Sequence, residues 1–219
     1  MSDRDRLSLV AHAAMPLCNP LALAELDALL ERAPVAPGER VLDLGAGRGD
    51  AALRTSGAHL TLVDRSDVYL EEARRRARGR EHVELVLADA ATYLERLEGP
   101  VALAICLGAS HALSGLETAA RALSQRAHRV LIGDLVALGA RAEATFGAPP
   151  LESLAVGAPH VLLGPDRLRA YEDAWARAVS SHLEAFPHDP AAEWANARIA
   201  WMRDHDDALS ELAFAAWVL

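Results

Sequence analysis

The stretch "VLDLGAGRGD", residues 41–50, sets glycines at 45, 47 and 49 directly behind a short apolar run. Main chain this bare at a strand exit serves a phosphate, a nucleoside or only a tight turn. Glycine permits positive φ and lets a ligand approach the backbone with no Cβ in the way. The spacing is G-x-G-x-G, which departs from the G-x-G-x-x-G of pyrophosphate-binding loops. The G-K-[ST] of a phosphate loop is missing, and lysine is absent from the whole chain. Asp43, two residues ahead of Gly45, would repel a diphosphate and suits a cation such as an α-amino group.

Outward from this loop, short apolar runs alternate with segments of helical period. "RVLDLGAG" reads as a buried strand with its exit loop, "DAALRTSG" as a following helix, and "HLTLVD" as a second strand ending in an acid. "SDVYLEEARRRARG" reads as a helix with Ser66 as its N-cap. "VELVLADA", "VALAICLGAS" and "HRVLIGDLVAL" are further strands, separated by the helices "TYLERLEG" and "GLETAARALSQRA". This alternation predicts a parallel sheet covered on both faces, and the unbroken apolar character of the strands fits that burial. "HVLLG" is a sixth strand, "PDRLRAYEDAWARAVSSHLEAF" and "HDPAAEWANARIAWMRDHDDALS" are helices, and "ELAFAAWVL" is a last strand.

A length of 219 residues suits one domain with an elaboration. About half of the residues are apolar (52%) and 24% are charged, enough for a substantial core. No apolar run reaches the ~20 residues of a membrane span. The charged start "MSDRDRLSLVAHAAM" lacks the form of a secretory signal, so a cytoplasmic protein is expected. Cys18 and Cys106 are too isolated for a disulfide framework or a zinc site. The net charge of −9 argues against bulk attraction to nucleic acid. Without lysine, Schiff-base chemistry is excluded. The abundance of arginine follows the overall composition, so single arginines carry little weight.

Asp64 ends the second strand and Asp89 the third. A carboxylate at the first position can accept the hydroxyls of a ribose, and one at the second can take a hydrogen bond from an adenine amino group. With Asp43, three acids stand at three successive strand ends along the crevice where open parallel sheets bind ligands. On these residues the chain resembles the class I S-adenosylmethionine-dependent methyltransferases, in "VLDLGAGRGD", "LTLVDRS", "VLADA" and "VALAICLGASHAL", over roughly residues 38–136. The resemblance implies a Rossmann-like α/β fold, a seven-stranded mostly parallel sheet whose last strand is antiparallel, plus a small helical cap. Residues 1–219 would form one domain, with a helical lid at 1–37, the cofactor core at 38–136 and the cap insertion at 165–209.

By the same resemblance the cofactor is S-adenosyl-L-methionine and the product S-adenosyl-L-homocysteine. The main chain from Asp43 through Leu44, Gly45, Ala46, Gly47 and Gly49 would hold the methionine part, and Asp64 with Arg65 the ribose. Asp89, Ala90 and Ala91 would hold the adenine, while Cys106, Leu107 and Gly108 would line the sulfonium end. A non-catalytic S-adenosylmethionine-binding module and an NAD-dependent oxidoreductase remain as alternatives.

The acceptor is expected to be a small molecule, methylated on O, N or S. "CLGASHAL" lacks both the Asn/Asp-Pro-Pro-aromatic motif and the Pro-Cys pair of enzymes acting on bases. It also lacks the acid that metal-dependent relatives place there, and Asp134 alone makes no site, so no metal is expected. His111, just past the fourth strand, is the expected base, since its ordinary pKa near ~6.5 suits it to proton removal. His12, Cys18 and Asn19 are expected in a lid. Cys18 is not expected to act as a nucleophile, because nothing beside it in sequence lowers its pKa. Tyr171 and Trp175, with Trp194, Arg198 and Trp201 at i, i+4 and i+7, form aromatic helix faces expected to hold a planar or anionic acceptor. The expected state is a monomer or homodimer.

Overall fold

The computed structural model describes residues 2–219. Its centre is a seven-stranded sheet in the order β3-β2-β1-β4-β5-β7-β6. The strands are β1 (Arg40–Leu44), β2 (His59–Asp64), β3 (Val83–Leu87), β4 (Val101–Leu107), β5 (Ala127–Ala137), β6 (Val161–Leu163) and β7 (Leu212–Val218). β1 to β5 pair in parallel, and β7 runs antiparallel to both β5 and β6. The strand order reverses between β1 and β4, so the crevice beyond their carboxyl ends is the natural ligand position.

Alternating side chains serve the two faces. Val41, Leu103, Ile105, Leu131 and Phe214 join one core layer with α2 (Leu23–Arg32). Leu42, Leu44, Ala104, Ile132 and Trp217 join the other with α4 (Ala90–Arg96) and α5 (Leu116–Ser124). A third cluster unites Leu7 and Ala11 of α1 (Asp3–His12) with Trp175 and Val179 of α7 (Pro165–Ala185) and Ala195 of α8 (Ala192–Asp204). The N-terminal helix and the cap therefore share one satellite core.

Three local expectations change. The segment after Gly49 forms only a tight turn at Ala52–Arg54 in place of a helix. Gly45, Gly47 and Gly49 all adopt positive φ, and Gly57 breaks the chain again before β2, leaving too few residues for a helix. Ser66 does stand at the N-cap of α3 (Asp67–Arg76), but its side chain makes no capping bond and its Oγ is buried without a partner. Asp64 Oδ1 accepts the Ser66 amide. The last predicted helix ends at Asp204, and a short α9 (Asp206–Leu209) follows. The turn-rich stretch after β5 also holds α6 (Ala140–Phe146).

Leu103 lies at the centre of β4 with no exposed surface. Leu103→Ala should lower stability by about 2–5 kcal/mol, read as a shifted midpoint in urea unfolding.

Candidate active site

The glycine loop is held by the strand beside it. The amides of Gly45 and Ala46 both donate to the Val63 carbonyl, at 2.9 and 3.1 Å. The Gly47 amide donates to Asp64 Oδ2 at 2.8 Å. Asp64 thus joins the loop to the start of α3 through its two oxygens, each of which keeps a further lone pair. A Cβ on Gly45 would collide with the side chain of Ala109, just past β4, whereas one on Gly47 would meet nothing nearer than Tyr69 Cδ1 at 3.8 Å. Close approach and positive φ fix the first glycine; positive φ alone fixes the second.

Asp43 is 3% exposed. Burial raises its carboxyl to about 7, against the Ala52 amide, which lowers it. Asp43 therefore faces the underside of the loop more than the crevice. Asp89 is exposed and caps α4 by accepting the Thr92 amide at 3.0 Å. That bond holds its carboxyl below the usual range. Arg65 and Gly108 are exposed, Ala91 and Leu107 half-buried. Leu44, Ala46 and Ala90 are buried, so only their main chains are available to a ligand.

Cys106 departs from expectation. Its side chain has no exposed surface and packs in the core layer with Leu42 and Ala104, and burial drives its thiol far up. It does not line the crevice, because the pleat turns position 106 away and position 107 the other way.

His111 sits on the turn Ser110–Leu113 after β4 and is exposed. Among the described residues its ring meets no hydrogen-bond partner. Asp134 is engaged by this same turn, its Oδ2 accepting the Ser110 amide at 2.9 Å and hydroxyl at 2.6 Å. Among the described residues no group of three or more His, Cys, Asp or Glu side chains is placed to hold a metal.

The strap between α1 and α2 packs against the glycine loop, and Arg48 is the reason. This guanidinium is 1% exposed. It donates to the carbonyls of His12 at 2.6 Å, Met15 at 3.2 Å and Pro16 at 3.3 Å, and through Nε and Nη2 to Asp50 Oδ2. Asp50 also accepts the Cys18 amide at 3.2 Å and Arg76 at 2.7 Å. Leu17 and Leu21 anchor the strap in the main core.

Over the loop, His12 and Cys18 of the N-terminal segment meet Tyr171 of the cap, a contact that sequence reading did not anticipate. Tyr171 donates to the Cys18 carbonyl at 2.9 Å, and its hydroxyl lies 2.8 Å from His12 Nε2. Burial lowers His12 to about 4, with Arg48 and Arg198 adding repulsion and the Ser8 carbonyl opposing. Burial pushes the Cys18 thiol up to about 12, which leaves it inert. Asn19 is spent locally, its Oδ1 accepting the Leu21 amide at 3.1 Å.

The aromatic stripe of the cap does not form one wall. Trp175, 2% exposed, meets Trp194 edge-on at 6.0 Å and carries the Arg198 guanidinium at 4.0 Å. Arg198 also pairs with Glu172 at 2.6 Å. Trp201 packs elsewhere, on Phe146 and His205. Seven residues along a helix is a rise of ~10 Å, so the two ends of the stripe reach different neighbours. Trp175, Arg198 and Trp201 are thus engaged in helix packing.

Sequence reading missed Arg48, Asp50 and Tyr69. The signal was present in "RGD": an arginine inside a glycine loop, with an acid two residues on, on a chain where arginine is too common to stand out.

Residues 41–132 match the family profile described as a methyltransferase domain. A stretch of 60 residues is 57% identical to a demethylmenaquinone methyltransferase of Clavibacter sepedonicus; it spans 26% of this chain and 24% of that protein, about a quarter of the relative's length. Among solved structures, YjhP from E. coli superposes with a TM-score of 0.80 at 24% identity, covering 97% of this chain and 98% of that one. An S-adenosylmethionine-dependent methyltransferase from Thiobacillus denitrificans, in complex with S-adenosyl-L-homocysteine, gives 0.77 at 24% identity, covering 97% of each chain. These likenesses show a fold shared with those proteins along nearly the whole chain.

Two measurements test the site. Arg48→Ala removes the charge partner of a buried pair and frees three carbonyls, which should cost about 3 kcal/mol. It should also open residues 13–20 to limited proteolysis, and Arg48→Lys should not restore protection, because an ammonium lacks the fork. Asp43 binds a proton in the folded state between about pH 4 and 7 that the unfolded chain has released, so it makes stability fall as pH rises through that window. Asp43→Asn should remove this fall. The variant's stability should gain on wild type from pH 4 to pH 7 in denaturant titrations.

Proposed function

We propose that this protein transfers the methyl group of S-adenosylmethionine to O, N or S of a small-molecule acceptor. The observation that carries the reading is the glycine loop at the β1/β4 reversal, its Gly47 amide tied to Asp64 and its first glycine pressed on Ala109. This cradle fits a nucleoside bearing a positive sulfur. Asp64 has lone pairs free for ribose hydroxyls, Asp89 stands exposed for the adenine edge, and neither carboxylate suits a diphosphate. When bound, that nucleoside supplies an electrophilic methyl carbon. The chain's own part is to align the acceptor, because alignment alone removes several kcal/mol of barrier, and to exclude water beneath the strap.

The acceptor is a small molecule because the strap and the cap crowd the loop, and because the charge of −9 repels a phosphate backbone. No helix among the described residues is long and apolar enough to cross a membrane.

Calorimetry tests the reading directly. S-adenosylmethionine and S-adenosyl-L-homocysteine should bind while NAD does not. Asp64→Ala should weaken both by ten-fold or more, about 1.4 kcal/mol. Binding of NAD with no response to either sulfur nucleoside would make the oxidoreductase reading correct instead.

A further inference from the structure

His12 lies in a hydrogen-bond chain that is one proton short. Its Nδ1 is 2.7 Å from the Ser8 carbonyl, one turn back on α1. A carbonyl can only accept, so Nδ1 carries the hydrogen. A neutral imidazole then has a bare Nε2, which faces the Tyr171 hydroxyl at 2.8 Å. That hydroxyl has one hydrogen and a second acceptor, the Cys18 carbonyl at 2.9 Å. The Tyr69 hydroxyl donates to Ser8 Oγ at 3.0 Å and lies 3.2 Å from His12 Nδ1, where its oxygen can share the Nδ1 hydrogen with the Ser8 carbonyl. One further proton completes the chain: Nδ1 to Ser8, Nε2 to Tyr171, Tyr171 to Cys18.

The cluster stands against the glycine loop. Arg48 of the loop binds the His12 carbonyl, and Tyr69 Cδ1 lies 3.8 Å from where a Cβ on Gly47 would stand. Tyr171 stays half-buried, not closed. The charged and titratable groups around His12 are Arg48 and Asp50 from the loop, Arg198 from α8, and Tyr69 and Tyr171 from α3 and α7. Burial and the two arginines keep the ring neutral, and therefore able to accept, until positive charge nearby is lost.

We propose that Tyr171, backed by His12, takes the proton that the methyl acceptor gives up. The inference rests on the methyl-transfer reading above. The acceptor's lone pair forms the new bond to the methyl carbon, and the carbon–sulfur bond breaks with its electron pair going to sulfur. The acceptor's proton passes through the Tyr171 oxygen to His12 Nε2. One positive charge leaves sulfur and one appears on imidazole, so total charge is conserved and no other reactant is needed. Tyr171 is the catalytic group; His12 orients it and holds the proton.

Side-chain nitrogen NMR of His12 reads this without any acceptor. The ring should be the neutral Nδ1–H tautomer in the free protein. It should titrate ~1 unit or more higher in the S-adenosyl-L-homocysteine complex than in the S-adenosylmethionine complex, because only the latter places a second cation nearby. In a metabolite screen scored by S-adenosyl-L-homocysteine release, Tyr171→Phe and His12→Asn should each slow turnover by roughly 100-fold. His12→Asn keeps the bond to Ser8, so its cofactor affinity should be unchanged and its pH profile altered. If both nucleosides bind by calorimetry but His12 titrates alike in the two complexes, the relay is wrong and the methyl-transfer reading stands. If Tyr171→Phe turns over at the wild-type rate, the relay is likewise wrong. If neither nucleoside binds, both fall.

Discussion

A guanidinium shut away from water must have its N–H groups answered, and Arg48 is answered largely by the strap. Five bonds run from it to the carbonyls of His12, Met15 and Pro16 and to Asp50, which in turn holds the Cys18 amide. The donors are rigid and planar, so they fix position as well as supply energy. Because Arg48 lies between Gly47 and Gly49, the loop cannot move without the strap, and the strap cannot lift without exposing a buried charge. Loop, strap and His12 act as one body through this residue.

The same body extends into the cap. Leu7 and Ala11 of α1 share a core with Trp175 and Ala195, and Arg6 grips both oxygens of Asp189, at the turn between α7 and α8, at 2.7 Å. A lid and a cap that sequence treats as separate insertions are therefore packed face to face. The aromatic residues expected to meet an acceptor are what hold them together: Trp175 lies between Trp194 and Arg198. Tyr171, one turn before Trp175 on the same face of α7, reaches the end of α1 and the strap.

The sheet, the acids after β2 and β3 and the glycine loop were legible because each is local: a strand's apolar run, an acid at its end, glycines where φ is positive. The helix missing after Gly49 was not, since "DAALRTSG" has helical propensity and loses to a chain too short between Gly49 and β2. Cys106 was misplaced for a different reason. In a strand buried on both faces, apolar character carries no parity, so sequence cannot say whether residue 106 or 107 faces the crevice. Ser66 has the right type and place for a cap, but its Oγ takes up none of the free amides of α3. Arg48 was hidden by composition alone.

One cause acts on both Asp43 and His12, shifting their pKa values in opposite directions and each charge towards zero. Loss of water raises Asp43 to about 7 and lowers His12 to about 4, so each is pushed towards its uncharged form. Arg48 cannot respond in this way, because a guanidinium keeps its proton at any accessible pH. The fixed charges left around the glycines are then Arg48, neutralised by Asp50, and Asp64, whose carboxylate is steadied by two amides. A ligand arriving with a positive sulfur meets a negative charge already held in place and a histidine that adds no repulsion. Placing that histidine behind a tyrosine keeps it dry enough to stay neutral and close enough to matter when the ligand's charge disappears.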